Sequence, residues 1–487
     1  MDFKIRTTKT KTNKTAVQVI NYAKRKVNIL KHIGSGNDEK EIKALKNQAV
    51  NWINSETSRT GLFPNNQDLF FKSYQYEGFT YGFAYEFLEK IYLKFNFDKH
   101  LNEQVKDLII GKILEPGSTK HCVEFLEEFL NIRHSETKIY NWFKKFSPAL
   151  KDSLEKETIS MAQKEFGFDF SFVLYDVTTL YFESFKNDEF KRPGFSKDNK
   201  SNQPQIVIGL VVTKEGFPAH YQVFQGNTFE GNTFMPIILE FKDKHKVKSL
   251  TVVADSAMLS RQNIEMLKTN NLNYIISARL LSLPCSTLEK VCANAPKNDK
   301  ETVRLDDLVL EFSSKRFKKD KQEMEKQISR AKQYENTKTG KVSRLKFLKN
   351  DKVSYRINQE LIDKNGKLLG LKGYFTNLTE ATDKEIVDYY HNLFKIEHAF
   401  RVAKSDLETR PIFHHKENSI KNHVLLCFVS LSISVYLELK AKMSIRQIVK
   451  ILKAVTDGKI RNKITGEILT NRKMLSKDAE RLMGMSY

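Results

Sequence analysis

Between residues 171 and 279 the chain sets down short apolar runs rich in β-branched residues, one after another. No other stretch restricts the fold as much. SFVLYDVTTLYF (171–182), QIVIGLVV (205–212) and HYQVFQG (220–226) each have the length and composition of a buried strand. A helix is predicted near 233–245, and SLTVVADSA (249–257) and NYIISAR (273–279) read as two further strands. Strands in direct succession, then strands alternating with helices, predict an α/β fold: a mixed sheet flanked by helices on both faces.

The flanks read differently. Residues 101–146 predict three short helices, the first, LNEQVKDLIIGKIL, ending at Glu115-Pro116-Gly117. Ser118 and Ser135 are placed to cap the second and third. A compact helical unit whose last helix is basic suits a DNA groove, and equally suits any helical bundle. Periodicity weakens over 281–372, where residues 315–352 carry 14 basic and 5 acidic side chains. Such a run is either a solvated face or a contact to a nucleic-acid backbone. LKGYFTNLT (371–379) reads as a returning strand, followed by a long helix over about 382–406 and an apolar helix over 423–440. The expected division is therefore 1–150, partly helical and DNA-binding; 165–280 and 373–440, the two parts of a core; 281–372, a basic insertion; and 441–487, a basic helical tail.

Charge narrows the partner. The chain of 487 residues has a net charge of +22, which fits a polyanion such as DNA. We find no run of about 18 apolar residues, so no membrane partner is expected, and the N-terminus, MDFKIRTTKTKTNKT, lacks an apolar signal core. A cytoplasmic, nucleoid-associated protein follows as the expectation. Cys122, Cys285, Cys292 and Cys427 are scattered and form no C-x-x-C pair, so neither zinc nor a disulfide framework is indicated. No H-E-x-x-H pattern exists either.

Two acids share one setting. Asp176 in VLYDVTT and Asp255 in TVVADSA each close an apolar strand, a common place for chemistry in α/β sheets. Two such carboxylates suit Mg²⁺, which prefers oxygen ligands. A third acid is expected from a helix packed across the sheet, and Glu397 is the candidate. Tyr390, Glu397 and Lys404 are spaced by seven and so fall near one helical face, which carries a phenol, a carboxylate and an amine. A packed helix tyrosine and a surface lysine are the plainer readings of Tyr390 and Lys404. His398-Ala-Phe-Arg401 with Tyr436 also reads as the H-x-x-R and nucleophile of a tyrosine recombinase, which needs no metal. A non-catalytic DNA-binding regulator would rest on the charge and the helical unit alone.

The residues around these acids resemble the DDE-class insertion-sequence transposases, and within them the branch with a Tyr-x2-Arg-x3-Glu-x6-Lys box. Here the box reads Tyr390-His-Asn-Leu393-Phe-Lys-Ile-Glu397-His-Ala-Phe-Arg-Val-Ala-Lys404. YDVTTLYFES, VVADSAML, QGNTFEGNTF and LETRPIFHH share the family's look. Leu393 departs, standing where the box has Arg, and Arg401 or Lys395 is the candidate to supply that charge. The resemblance implies an RNase H-like core over about 170–440 with a mostly β insertion before the Glu-bearing helix. It implies that Asp176, Asp255 and Glu397 hold two Mg²⁺ ions, with Mn²⁺ as a substitute. Double-stranded DNA, both element ends and target, would be the substrate, bound at phosphates by Tyr390 and Lys404. Cleavage would free a 3′-OH that attacks target DNA, in a complex expected to hold two copies of the chain.

Overall fold

A computed structural model describes residues 3–10, 13–23, 26–60, 74–183, 186–195, 202–335, 345–350, 354–463 and 465–485. Part of the basic run 315–352 lies outside the described residues. The chain divides into two compact units, Met1–Gly78 with Gly458–Asn471, and Phe79–Asp457 with Arg472–Tyr487.

In the first unit, β1 (Lys4–Lys9), β2 (Thr15–Ala23) and β3 (Lys26–Gly36) form an antiparallel sheet. Helix α1 (Glu39–Thr60) covers it, with Val17, Val19 and Ala49 buried between. This sheet was not read from the sequence, because its strands are only half apolar and β3 is almost wholly exposed. Strand β4 (Tyr74–Thr80) belongs to a second small sheet with β15 (Asp457–Asn462) and β16 (Ile468–Arg472).

The second unit begins with helices α2 (Gly82–Lys94), α3 (Glu103–Leu114), α4 (Thr119–Leu130), α5 (Glu136–Phe143) and α6 (Pro148–Phe166). The predicted 101–146 helices are α3 to α5. Ser118 does cap α4 by accepting from His121 N (3.1 Å), whereas Ser135 precedes α5 without a side-chain bond. Helix α3 is buried almost all round, so it is a core element; its Asp107 accepts from Tyr85 Oη (2.5 Å) and pairs with His134 (2.7 Å).

The predicted strands then appear as β5 (Phe172–Tyr181), β6 (Gln205–Thr213), β7 (Pro218–Gln225), β8 (Thr251–Ala254) and β9 (Asn273–Ala278). Helices α7 (Glu230–His245) and α8 (Arg261–Thr269) connect the later ones. In the sheet, β6 runs antiparallel to both β7 and β5, and β5, β8 and β9 run parallel to one another.

The segment 281–372 departs from expectation. Its described residues hold more helix than strand, in α9 (Cys285–Ala293), α10 (Ser314–Lys332) and α11 (Gln359–Gly366). Helix α10 follows from its own residues: Ser313 caps it, and KRFKKDKQEMEKQISRAK is made mostly of strong helix formers. The strands β10 (Thr302–Leu305) and β11 (Leu308–Phe312) join the central sheet through β14 (Leu371–Thr376), giving the eight-stranded order β10-β11-β14-β9-β8-β5-β6-β7. Among the described residues of the segment, β12 (Leu348–Asn350) and β13 (Tyr355–Ile357) pair apart from it.

The long helix expected over 382–406 is segmented. Helix α12 (Asp383–His391) ends in a tight turn, α13 (Phe394–Arg401) follows, and Val402–Asp406 unwinds into a π turn. Leu393 N bonds Tyr390 O (3.0 Å), a three-residue spacing, whereas Leu407 N bonds Val402 O (2.9 Å), a five-residue spacing. Next, α14 (Glu417–Ala441) runs longer than predicted; α15 (Ile445–Lys453) and α16 (Lys477–Met485) complete the chain. Contrary to the sequence reading, α14 is long and apolar enough to cross a membrane. Its most apolar window is 83% buried, so here it is the central core helix, apolar all round because it is enclosed all round.

Candidate active site

The site is built on one row of the sheet. Tyr175 on β5 pairs with Ala254 on β8, and Ala254 with Ile276 on β9, so Asp176, Asp255 and Ser277 occupy the next row on three neighbouring strands. Ser277 in turn pairs with Tyr374 on β14. Side chains alternate between faces along a strand. Tyr175 therefore points the other way, and its hydroxyl meets Thr233 of α7 at 2.6 Å. The row after it faces α12 and α13.

Asp176 does not close its strand, as the sequence suggested: β5 continues five residues beyond it, to Tyr181. Apolar residues run past the acid because the strand is buried along its whole length. The half-buried carboxylate accepts from Val177 N (2.7 Å). Asp255 does follow a strand end, where it caps a short 3-10 turn (Ser256–Met258) by accepting from Ala257 N (2.6 Å). Buried Asn263 holds that turn, donating from one amide nitrogen to Met258 O (2.9 Å) and to Gly231 O of α7 (3.0 Å).

Tyr390, at the end of α12, reaches into the row. It lies beside Ser277, and its ring is 4.8 Å from that of Tyr374, the partner of Ser277 across the sheet. Burial pushes its phenol up to about 12, with Ser277 opposing and the charges of Asp255, Asp176 and Glu397 adding to the rise. All three candidate acids thus act on one hydroxyl. Glu397 itself is exposed on α13. Among the described residues no three His, Cys, Asp or Glu side chains stand close enough to form a ready-made metal cluster. Asp176 and Asp255 are neighbours on the row, and Glu397 is in electrostatic reach rather than in contact. The donors are all carboxylate oxygens, which fit a hard divalent cation.

The four basic or phenolic candidates fall in different places. Lys404 sits in the π turn and lines a cavity of about 50 Å³ with Thr178, which shares the face of Asp176 two residues along β5. Arg401 is exposed, and its guanidinium meets His398 Nδ1 at 2.6 Å, while His398 Nε2 meets Glu438 of α14 at 2.8 Å. Lys395 turns away from the acids: it donates to Lys214 O (2.8 Å), beyond the Thr213 that pairs with Val173 near the start of β5. Leu393 is a core residue with 7% exposure, which explains why no Arg stands there.

Sequence reasoning missed three neighbours of the row. Lys372 on β14 lies with its Nζ 4.2 Å from the Tyr390 ring centroid and 5.4 Å from that of Tyr374. Burial, and then Arg316, lower its affinity for a proton, against Glu311 and Glu397. Ser277 is the second. Glu230, at the start of α7, is the third: it precedes Gly231, whose carbonyl accepts from the Asn263 that holds the Asp255 turn. The only available signal was register, which requires knowing which strands adjoin.

Tyr436, the candidate recombinase nucleophile, is fully buried in α14. It packs 5.5 Å from Phe95 and 5.6 Å from Phe166, and its hydroxyl reaches Glu165 (3.3 Å). Burial and Glu165 raise its phenol well above the ordinary range, the opposite of an activated nucleophile.

A mixed sheet with acids on one row, in a strongly basic chain, defines an α/β protein equipped to act on a polyanion. The sequence profile of the family described as the transposase DDE domain matches residues 167–433, more than half of the chain, and the chain belongs to that family. It is therefore a transposase, of a family of DNA cleavage and transfer enzymes that generally use divalent metal ions. No curated protein gave a match. Among solved structures, the piggyBac transposase synaptic complex with hairpin DNA is similar at 11% identity and a TM-score of 0.37, over 83% of this chain and 75% of that one, too distant to carry an argument.

Proposed function

We propose that this transposase serves an insertion sequence, cutting double-stranded element ends and joining the freed 3′-OH to target DNA, with Asp176, Asp255 and Glu397 as the catalytic acids. The observation that carries this reading is the strand register that sets Asp176 and Asp255 on one row of neighbouring strands, beside the α12–α13 segment that carries Tyr390 and Glu397. We assign the RNase H-like core to the sheet from β5 to β9 and the helices that cover it.

The three carboxylates would hold two divalent ions, Mg²⁺ or Mn²⁺, which when bound activate the attacking oxygen and stabilise the leaving 3′ oxygen. The chain's own part is positioning. Val177 N and Ala257 N each fix one oxygen of an aspartate, so both carboxylates are oriented by backbone before any ligand arrives. Asn263 keeps the Asp255 turn against α7. Glu397, exposed on α13, approaches from the solvent side, where a DNA strand would lie. Tyr390, Lys404 and Arg401 are the proposed phosphate contacts, and Lys395, engaged with Lys214 O, is left out. Two ends must be cut in one complex, so two copies of the chain on DNA are part of the proposal.

The test is cleavage of a labelled duplex carrying the gene's own flanking DNA, with Mg²⁺ or EDTA, by wild type and Glu397→Gln. Cutting that requires both Mg²⁺ and Glu397 and leaves a free 3′-OH is the expected outcome, with a loss of at least about 10³-fold in the variant, the size of a catalytic-group deletion. Undiminished cutting by Glu397→Gln would remove Glu397 from the site.

A further inference from the structure

A half-buried cation without a counter-ion is costly, and such groups are kept where an anionic ligand completes them. Lys372 is in that position. Its ammonium lies over the Tyr390 and Tyr374 rings and forms no ion pair among the described residues. Glu311, opposite it on β11, is engaged elsewhere, accepting from Tyr374 Oη (2.7 Å) and meeting His391 (3.6 Å). On one side of Lys372 opens a cavity of about 460 Å³, lined also by Arg279, Arg316 and Lys346, with Asp320 and Glu323 at its α10 wall. On the other side stands Tyr390, and beyond it the acid row. A cation between a basic cavity and a row of carboxylates is placed to take an anion that spans both.

The helix break beside Tyr390 offers no cation of its own: Leu393 is buried, and Lys395 is tied to Lys214 O. Resting on the reading of Asp176, Asp255 and Glu397 as catalytic acids, we propose that Lys372 binds a phosphodiester of the DNA strand entering the acid row, supplying positive charge from β14. Arg316, shared with Asp320 (3.3 Å), adds charge from the α10 side of the same cavity. No bond is made or broken in this step; the ammonium positions a phosphate.

The experiment measures binding of the full chain to the flanking-DNA duplex in EDTA, so that no cutting occurs, across a range of NaCl. Lys372→Met keeps a stem over Tyr390 and removes the charge; Lys477→Met, on α16, controls for loss of any one charge. We expect Lys372→Met to bind about tenfold more weakly and to lower the salt slope by about one, with Lys372→Arg restoring both. In a scan of single neutral methylphosphonates, one position should weaken wild type about tenfold but Lys372→Met less than twofold, the mark of a shared contact. If Lys372→Met does not fold, Lys372→Gln is read in its place. Binding and scan equal to those of Lys477→Met would overturn the proposal. Failure of the acid reading would show separately, as cutting retained by Glu397→Gln, whatever Lys372 does in EDTA.

Discussion

At the scale of single residues, the acids differ in how openly the chain announces them. Asp255 is legible because a four-residue apolar strand stops at it and a turn begins. Asp176 is legible as an acid inside an apolar run, although its place within β5 is not, since the residues on both sides are equally buried. Asn263 gives no sequence signal at all, being one amide in a short polar helix. Its role comes from bonding the nearby Met258 carbonyl and, 32 residues away, that of Gly231. Asn263→Ala should destabilise the chain by about 1–3 kcal/mol, the cost of leaving buried polar groups unpaired. It should also slow cleavage more than it weakens DNA binding, since Asp255 loses its support. Chemical denaturation and the cleavage assay check the two parts; equal stability would dismiss the bridging role.

At the scale of elements, the segmented helix carries the largest surprise. A seven-residue spacing predicts one continuous face for Tyr390, Glu397 and Lys404, but the tight turn at Leu393 and the π turn at Val402–Asp406 re-aim them. Tyr390 thereby enters the sheet row, Glu397 stays outside it, and Lys404 faces the cavity above Thr178. Helix α14 supplies a prediction of the opposite sign. Tyr436→Phe should retain cleavage within about twofold and cost about 1 kcal/mol of stability, the value of one hydrogen bond. Loss of cutting would revive the covalent recombinase reading. Between α6 and β7, buried Glu155 accepts from Lys151 (2.8 Å) and Tyr221 N (3.2 Å) and meets His220 (3.0 Å). Burial pushes its carboxyl up, but His220 and Lys151 more than reverse this and hold it at about 2, below the ordinary 4.5. With the folded value depressed, the stability it contributes is present above about pH 4.5 and is lost as pH falls towards 2. Glu155→Gln should flatten the acid side of the stability curve in that window, as urea titrations at stepped pH would show. An unchanged acid limb would mean that other carboxylates set it.

At the scale of the whole molecule, the net charge of +22 belongs to both units and to no single site. Its consequence is ionic. Binding to duplex DNA should weaken steeply with salt, by about 0.9 logarithmic units per decade for each phosphate neutralised, and so by about a thousandfold between 50 and 200 mM NaCl for about six contacts. A flat salt response would exclude the DNA backbone as the source of affinity. The eight-stranded sheet also changes how 281–372 is understood. Its first hairpin extends the core sheet through β14, so the segment is partly core and partly a helical addition.

The sequence by itself determined the strands of the core, the helix near 233–245, an acid in or beside two of those strands, and the preference for a polyanion. Each of these depends on local composition or on total charge, and both can be read along a line. Tertiary structure alone decided which residues share a row. The register of β8 with β9 and of β9 with β14 brings Ser277 and Tyr374 beside the aspartates, and the breaks around α13 turn Tyr390 towards them. Strand order and helix irregularity are set by packing between segments a hundred residues apart, where no local pattern records them.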